Sequence, residues 1–326
     1  MVTIREVARR AGVSIATVSR SLNNQDRVSA ATRERVLTAA AELDYRPSQA
    51  ARGLVTGRLD TVGVVLPDVT NGFFTPILAG IEQYAQERGL GVLLADSRED
   101  ANAERELVRR MSQLVDGVVL VASRLPDDEI LEFVQIRPTV LAGRVVEGVD
   151  AIAVDSGVGT DQILTHLAEL GHRDVLYLHG PRQSWAGERR VAAVRQAAER
   201  LGVRLQESEP MAPNFAAGRA ATEYVLAQQV TAVIAYDDLI AWGLLTGLED
   251  AGIAVPERLS VAGCDDALQA GMSRPALTTV TADLDRIGTT AAELLFDRIA
   301  DPGAPVRTSV LGSAAVLRAS TGPVPV

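Results

Sequence analysis

In the first 45 residues, apolar positions recur at the spacing of short helices. The pattern predicts a first helix that ends at Gly12, a second over residues 15–22 with Ser14 as its N-cap, and a third that begins near Ser29 and ends near Leu43. Two short helices joined by a tight turn, with a third closing a small core, make a helix-turn-helix. The N-terminal unit is therefore predicted to be all-α.

The residues after the third helix form a separate feature. Pro47 stands just before a possible helix of barely two turns, which is too short to be stable in water by itself. Leu54 at its end is an apolar residue in a basic linker, and it suits insertion between bases in the minor groove of DNA. The alternative interpretation is a plain linker with one leucine.

From residue 61 onward, short β-branched apolar runs alternate with helical stretches. The runs lie at residues 61–66, 91–95, 117–121, 151–154, 175–178, 232–235 and 260–262. This alternation predicts parallel sheets flanked by helices, and therefore an α/β body. Ligands of such sheets bind beyond the carboxyl ends of the strands.

Polar and aromatic side chains follow these runs where a ligand is expected. Each hydroxyl of a buried polyol needs a partner once water is excluded, and carboxylates, guanidinium groups and aromatic rings suit that task. Singly, each residue could instead cap a helix or pack in a core; together they favour a pocket. The candidates are Asp68, Phe73, Phe74, Ser123, Arg144, Trp185, Arg190, Asp237 and Asp265.

The net charge of −10 is unevenly distributed. Residues 1–58 hold ten arginines against five acidic residues, whereas the remainder holds 22 basic and 37 acidic residues. A basic head on an acidic body predicts that the head, and not the body, meets a polyanion.

The second predicted helix carries side chains that suit DNA. Ile15 and Ala16 could contact thymine methyl groups, Arg20 could reach guanine, and Thr17 and Ser19 could bind phosphates. The alternative is a helical hairpin without a nucleic-acid role. The basic charge of the head favours DNA binding.

Short motifs along nearly the whole chain occur together in one known family. In the head they are Ile4-Arg5-Glu6-Val7-Ala8, Ala11-Gly12-Val13-Ser14, Thr17-Val18-Ser19-Arg20, Val28-Ser29, Thr32-Arg33 and the stretch from Tyr45 to Leu54. In the body they include Asn71-Gly72-Phe73-Phe74, Leu170-Gly171-His172-Arg173, Asp265-Asp266 and Pro275-Ala276-Leu277-Thr278-Thr279-Val280. The chain thus resembles the LacI/GalR family of bacterial repressors.

The resemblance implies a homodimer whose two recognition helices bind a pseudopalindromic DNA operator. It also implies three segments: a helix-turn-helix domain over residues 1–46, a hinge helix and linker over 47–58, and an effector-binding and dimerisation domain over 59–326. The last would be a body like the type I periplasmic binding proteins, with two interleaved parallel-sheet subdomains. The DNA-contacting residues would be Thr3, Ser14, Ile15, Ala16, Thr17, Ser19, Arg20, Asn23, Val28, Ser29, Tyr45, Ser48, Ala51 and Leu54.

For the effector, the resemblance implies contacts from Arg190, Asp237 and Asp265, and it adds Phe215 to the candidates. Cys264 takes the place of an aromatic residue that the family has before its Asp-Asp pair. Gly143 and Ala282 stand where lactose-type members carry polar side chains, which argues against a β-galactoside. A carbohydrate effector is expected, with a nucleobase as the second choice.

Two other classes of function are less well supported. For an enzyme, Gly157-Val158-Gly159 lacks the third glycine of a dinucleotide fingerprint, and His166, His172 and His179 form no metal pattern, so neither cofactor nor metal is expected. A periplasmic solute receptor would need a secretory signal and no basic head. The apolar runs of at most eight residues are too short for a membrane span, and the N-terminus lacks a secretory pattern, so a cytoplasmic protein is expected.

Overall fold

A computed structural model of the chain describes residues 2–23, 28–45 and 58–325. The chain divides into two compact units, residues 1–60 and 61–326, which are treated separately below. The predicted hinge helix, with Ser48, Ala51 and Leu54, and the side chain of Asn23 lie outside the described residues.

The N-terminal unit contains three helices, α1 (Ile4–Ala11), α2 (Ile15–Asn23) and α3 (Ala30–Glu42). Gly12 ends α1 in the left-handed conformation that glycine adopts without strain, with φ of 67°. Fully buried Val7, Val18 and Val36, one from each helix, form the centre of a small core. The helix-turn-helix prediction is confirmed to within a residue or two at the helix ends.

The larger unit alternates strands and helices, as predicted. Its strands are β1 (Thr61–Leu66), β2 (Gly91–Asp96), β3 (Gly117–Val121), β4 (Thr139–Ala142), β5 (Asp150–Val154), β6 (Asp174–Leu178), β7 (Arg204–Glu207), β8 (Ala232–Ala235), β9 (Ser260–Ala262), β10 (Thr279–Thr281), β11 (Thr308–Leu311) and β12 (Ala314–Val316). Its helices are α4 (Phe74–Gln86), α5 (Ala101–Met111), α6 (Asp127–Ile136), α7 (Ser156–Glu169), α8 (Trp185–Leu201), α9 (Phe215–Ala220), α10 (Thr222–Ala227), α11 (Asp238–Asp250), α12 (Leu268–Met272) and α13 (Leu284–Ala300).

These elements build two parallel sheets. The first has the strand order β11-β5-β4-β3-β1-β2 and the second has the order β7-β6-β8-β9. Apolar side chains cover both faces of each sheet, which is why strands such as β3 are buried along their whole length. The α/β body with parallel sheets is confirmed.

The chain crosses between the two sheets more than once. After β9 and β10 it returns through α13 to add β11 to the first sheet, and β12 then pairs antiparallel with β10 beside the second sheet. The return helix packs closely on α4, because a Cβ on Gly288 would lie 2.2 Å from the carbonyl oxygen of Ile77. The two sheets therefore belong to subdomains that are interleaved in sequence, and the carboxyl ends of their strands share one cleft.

Candidate functional site

The N-terminal turn of α2 projects into solvent, where it can contact another molecule. Ile15, Ala16 and Arg20 are exposed, so an apolar and a basic side chain are both available on this surface. Ser14 caps the helix by accepting a hydrogen bond from the Thr17 N–H at 3.1 Å, and the two hydroxyl groups are 2.9 Å apart. The helix thus begins where the sequence predicts, with its apolar and basic side chains outward.

Other predicted DNA contacts lie around this helix, with different local roles. The backbone N–H of Thr3 donates to the Glu6 carboxylate at 2.7 Å, which stabilises the start of α1. Ser29 caps α3, with Thr32 N–H donating to its hydroxyl at 3.4 Å. Tyr45 is half-buried against the head core. The remaining two, Ser19 and Val28, are half-buried.

The larger unit contains a cavity between the carboxyl ends of its two sheets. The space between its walls is about 860 Å³, a figure that includes the part open to solvent. Eight of the ten predicted effector residues line it, although they come from loops far apart in sequence. These are Phe73, Phe74, Ser123, Arg144, Trp185, Arg190, Asp237 and Asp265.

The other two predicted residues lie elsewhere. The Asp68 carboxylate accepts hydrogen bonds from the N–H and the hydroxyl of Thr70, at 2.8 and 2.6 Å, and it borders an outer groove. Phe215 begins α9 and packs edge-on against Trp242, with ring centroids 4.9 Å apart. Phe215 therefore packs between helices and does not line the cavity, contrary to the expectation from the resemblance.

Arg190 is the central cation of the cavity. Its guanidinium donates to the Asp265 carboxylate at 2.6 Å, to the Ser156 hydroxyl at 3.1 Å and to the backbone oxygen of Tyr236. Burial alone would lower the pKa of Arg190, but the neighbouring acidic groups outweigh it and raise that pKa well above the ordinary value. These contacts use three of its five N–H groups.

Asp265 is held in a strained backbone conformation beside this arginine. Its φ is 116°, in the region that favours glycine, and Asp266 also has a positive φ of 46°. Asp266 pairs with Arg318 at 2.6 Å. The Asp238 carboxylate stabilises this turn by accepting hydrogen bonds from the Ala267 N–H and the Thr279 hydroxyl. Of the Asp265-Asp266 pair, only Asp265 therefore faces the cavity.

Asp237 lines the cavity while capping α11. One carboxylate oxygen accepts a hydrogen bond from the Ile240 N–H at 2.8 Å. Burial, and then the negative charge of Asp265, raise its pKa to about 7. The Asp237 side chain thus caps a helix and also lines the cavity.

Arg144 forms part of the opposite wall. It donates to the backbone oxygens of Ser123 and Leu125 at 3.0 and 2.7 Å, and it pairs with Asp127. Among the described residues, nothing accepts a hydrogen bond from its Nε–H. The Ser123 hydroxyl accepts a hydrogen bond from the Leu125 N–H at 3.2 Å, so the loop after β3 is held by its own contacts and by those of Arg144.

Aromatic rings line the cavity beside these polar groups. Phe73 and Phe74 meet edge-to-face with centroids 5.1 Å apart, and the guanidinium of Arg189 lies 4.4 Å from the Trp185 ring. Flat apolar rings next to paired charges and free donors suit a ligand that has hydroxyl groups on one side and C–H groups on the other.

The three histidines have structural partners in this unit. His172 is fully buried and bonds to Thr231 and to the backbone oxygen of Gly322 at 2.8 and 2.9 Å, and His179 bonds to Glu207 at 2.7 Å. His166 lies 3.2 Å from the Thr321 hydroxyl. Over residues 2–23, 28–45 and 58–325, no group of three acidic, cysteine or histidine side chains is placed to bind a metal. Within the same ranges, no helix has the length and apolar character of a membrane span.

Comparison with known proteins identifies the family. Residues 3–48 match the bacterial regulatory proteins of the lacI family, and residues 164–321 match the periplasmic binding protein-like domain. The HTH-type transcriptional regulator GalS of Salmonella typhimurium is 36% identical over 302 residues, which cover 90% of this chain and 89% of GalS. This chain belongs to the LacI family. It is a DNA-binding transcriptional regulator and not an enzyme.

Other LacI-family members match over similar lengths. The HTH-type transcriptional repressor PurR of Vibrio parahaemolyticus is 32% identical over 92% of this chain and 93% of PurR. A transcriptional regulator CelR–cellobiose complex aligns with a TM-score of 0.72 and 31% identity, covering 98% of this chain and all of CelR. The Lac repressor dimer bound to operator and the anti-inducer ONPF aligns with a TM-score of 0.86 and 27% identity, covering 98% and 99%. The fold predicted from the family resemblance is confirmed.

The cavity also has polar lining residues that the sequence did not single out. They are Glu99, Arg124, Ser156, Ser184, Tyr236 and Thr281. Ser156 and Ser184 could have been found as residues at helix starts after strands, because that is where ligands bind in this fold. Tyr236 follows β8 directly and extends its apolar run, so the sequence pattern alone assigns it to a core. Arg124 lies three residues after β3, next to the predicted Ser123, and its position after a strand was a signal that could have found it.

Proposed function

We propose that this LacI-family regulator is a repressor controlled by a small carbohydrate that binds between its two sheets. The observation that carries the proposal is the composition of the cavity, in which the Arg190 charge is balanced by Asp265 and aromatic rings lie alongside. A neutral polyol can use the remaining donors and acceptors without bringing in an uncompensated charge. The cellobiose bound by CelR supports a carbohydrate as the class.

The DNA-contacting surface is proposed to be the exposed turn of α2, with Ile15, Ala16 and Arg20 at the base edges. Residues 47–58 are proposed to serve as the hinge, with Leu54 in the minor groove. The operator is proposed to be pseudopalindromic, because two copies of the head would read two half-sites. The operator complex of the Lac repressor dimer supports this arrangement.

A homodimer is proposed, and apolar residues on the surface of the larger unit support it. Leu93 and Leu94 are exposed on β2, which is an edge strand of the first sheet. Tyr224, Leu226 and Trp242 are exposed on the helices beside the second sheet. Exposed apolar side chains clustered in this way typically mark interaction surfaces. Each subdomain therefore offers an area that a second copy would cover.

The proposed DNA-contacting surface and dimer are tested by selecting binding sites from random double-stranded DNA with the full-length protein. The wild type is expected to select a pseudopalindromic consensus. Arg20→Ala should select a similar consensus but lose the base preference at one position of each half-site. As a matched control, Arg110→Ala changes an exposed arginine of α5 and should leave the consensus unchanged. A consensus without two-fold symmetry would contradict the proposed dimer.

The carbohydrate proposal is tested separately by thermal-shift screening against sugars and purines. A sugar is expected to raise the melting temperature of the larger unit, since a ligand that binds only the folded state stabilises it. A set of hits restricted to purines would overturn the carbohydrate and establish the nucleobase alternative.

A further inference from the structure

The start of α8 forms a continuous part of the cavity wall in the second subdomain. Ser184, the N-cap of this helix, lines the cavity together with Trp185, Ala186 and Arg190. Ser184 and Arg190 are buried, and Trp185 is half-buried. Because these side chains belong to one short segment, whatever fixes the segment also fixes where Arg190 and Trp185 meet a ligand.

Tyr236, directly after β8, contacts this segment at two points. Its hydroxyl is 2.8 Å from the Ser184 hydroxyl, whose oxygen also accepts a hydrogen bond from the Gly187 N–H at 3.0 Å and so caps α8. The backbone oxygen of Tyr236 accepts a hydrogen bond from a terminal nitrogen of Arg190. The two ends of one residue thus hold the first and the second turn of the helix.

Tyr236 is itself fixed to the second sheet. Its backbone N–H donates to the backbone oxygen of Leu178 at 2.9 Å, which continues the pairing of β8 with β6 by one residue. Its side chain is buried. The sheet therefore sets the position of Tyr236, and the contacts of Tyr236 transmit that position to the start of α8.

The Tyr236 ring fills the space between the loop after β6 and the first turn of α8. A Cβ on Gly180 would lie 2.4 Å from the ring, and a Cβ on Gly187 would lie 3.1 Å from it, so the two glycines leave the room that the ring occupies. The guanidinium carbon of Arg190 is 5.0 Å from the ring centroid, within the range of cation–π attraction. The ring thus packs against the helix start and attracts the same cation that the backbone oxygen binds.

We infer that Tyr236 is a positioning residue of the effector site, which holds Arg190 and Trp185 where a ligand meets them. The inference rests on the proposed carbohydrate function. Without the bond between the Tyr236 and Ser184 hydroxyl groups, fewer contacts hold the first turn of α8. A ligand would then have to order this turn as it binds, and that ordering would weaken its affinity.

The first experiment reports on the helix start without any ligand. In the full-length protein, Trp242→Phe removes the other tryptophan of the sequence, so the remaining tryptophan fluorescence comes from Trp185. In that background, Tyr236→Phe should increase the acrylamide quenching constant of Trp185 at least about 1.5-fold, because a less firmly held helix end opens more often. Unchanged quenching would overturn the positioning role.

The second experiment measures the dissociation constant of the full-length protein for a sugar. The probe is the one that raises the melting temperature most among glucose, galactose, mannose, xylose, cellobiose and lactose. Tyr236→Phe keeps the ring and the backbone contacts, so it should fold as the wild type does and should weaken sugar binding about 2- to 12-fold, the net contribution of one hydrogen bond. An unchanged dissociation constant would overturn the inference.

Two further variants complete the test. Tyr84→Phe removes a tyrosine hydroxyl of α4 that does not line the cavity, and it should change neither the quenching nor the dissociation constant. Ser184→Ala removes the hydrogen bond to Tyr236 together with the cap. The double variant of Ser184→Ala and Tyr236→Phe should therefore bind the sugar no more weakly than Ser184→Ala alone.

The results separate the positioning role from the carbohydrate function. If the effects of Tyr236→Phe and Ser184→Ala multiply in the double variant, the two hydroxyl groups act independently on the ligand, and the positioning role is overturned. If the wild type binds none of the six sugars, the carbohydrate function is overturned instead. The quenching of Trp185 still decides the positioning role in that case, because it needs no ligand.

Discussion

Single carboxylates set the electrostatics of the cavity. Asp265 forms an ion pair with Arg190. Asp237 is almost completely buried, and the Arg190 charge lowers its pKa only through a longer-range electrostatic interaction. Burial penalises the ionised form, so a proton or a hydrogen-bond donor from a ligand must offset the charge. A ligand hydroxyl that donates to Asp237 would do so.

This arrangement predicts a pH-dependent stability that Asp237→Asn removes. The raised pKa of about 7 means that the folded state holds the proton more tightly than the unfolded state. The resulting stabilisation is complete below the ordinary value of 3.8 and is lost as the pH rises through about 7. Asparagine keeps the cap without ionising, so Asp237→Asn does not lose this stabilisation as the pH rises. The melting temperature of the variant minus that of the wild type should therefore be roughly 5 °C higher at pH 8 than at pH 5.

The control for that measurement is Asp100→Asn, which changes another N-cap aspartate, the exposed one at the start of α5. Its melting temperature relative to wild type should show no comparable trend, since water solvates that carboxylate in both states. A pH-independent difference for Asp237→Asn would contradict the assigned role of burial.

The sequence predicted Arg190, Asp237 and Asp265 because they follow apolar strands in a recognisable family context. It could not predict that Arg124 and Tyr236 line the same cavity, since they lie in different subdomains and 112 positions apart in the chain. Such a shared lining depends on how two sheets are placed against each other, which no local pattern encodes. Asp68 shows the converse, because its position after β1 was right for a pocket but its carboxylate is used by Thr70.

At the scale of elements, the helix-turn-helix depends on a very small core. Val36 of α3 is fully buried against α1 and α2, whereas Leu37 on the same helix is 44% exposed. Strongly periodic elements of this kind were predictable. The predicted runs did not include five of the strands, β4, β7, β10, β11 and β12. Strand β4 has four residues after a proline, β7 is a polar edge strand, β11 is the other edge of the first sheet, and β10 and β12 have three residues each.

The small core predicts that Val36→Ala weakens DNA binding without changing effector binding. Removing two methyl groups from a closed core costs about 1–3 kcal/mol, a large share of the stability of so small a unit. Leu37→Ala, which removes more atoms from an exposed position, should bind DNA as the wild type does. Circular dichroism melts and operator titrations would measure both; equal effects of the two variants would contradict the assigned core.

At the scale of the whole molecule, the charge distribution separates two kinds of binding. The basic head would release counterions from DNA, whereas the effector cavity is buried and its charges are paired. The logarithm of the operator affinity should therefore fall linearly with the logarithm of the salt concentration. Between 50 and 200 mM salt the affinity should fall by about a hundredfold or more. The effector dissociation constant should change by less than about twofold over the same range.

The central claim is that the cavity around Arg190 controls DNA binding by the head. The most direct test is a fluorescence anisotropy titration of a labelled operator taken from the selection. The operator is titrated with wild type and with Arg190→Gln, each in the presence and absence of the identified sugar. The wild type should change its operator affinity about 5- to 150-fold when the sugar is added, the usual range of allosteric coupling. Arg190→Gln should bind the operator as the wild type does without the sugar and should not respond to it. An undiminished response in Arg190→Gln would contradict the account.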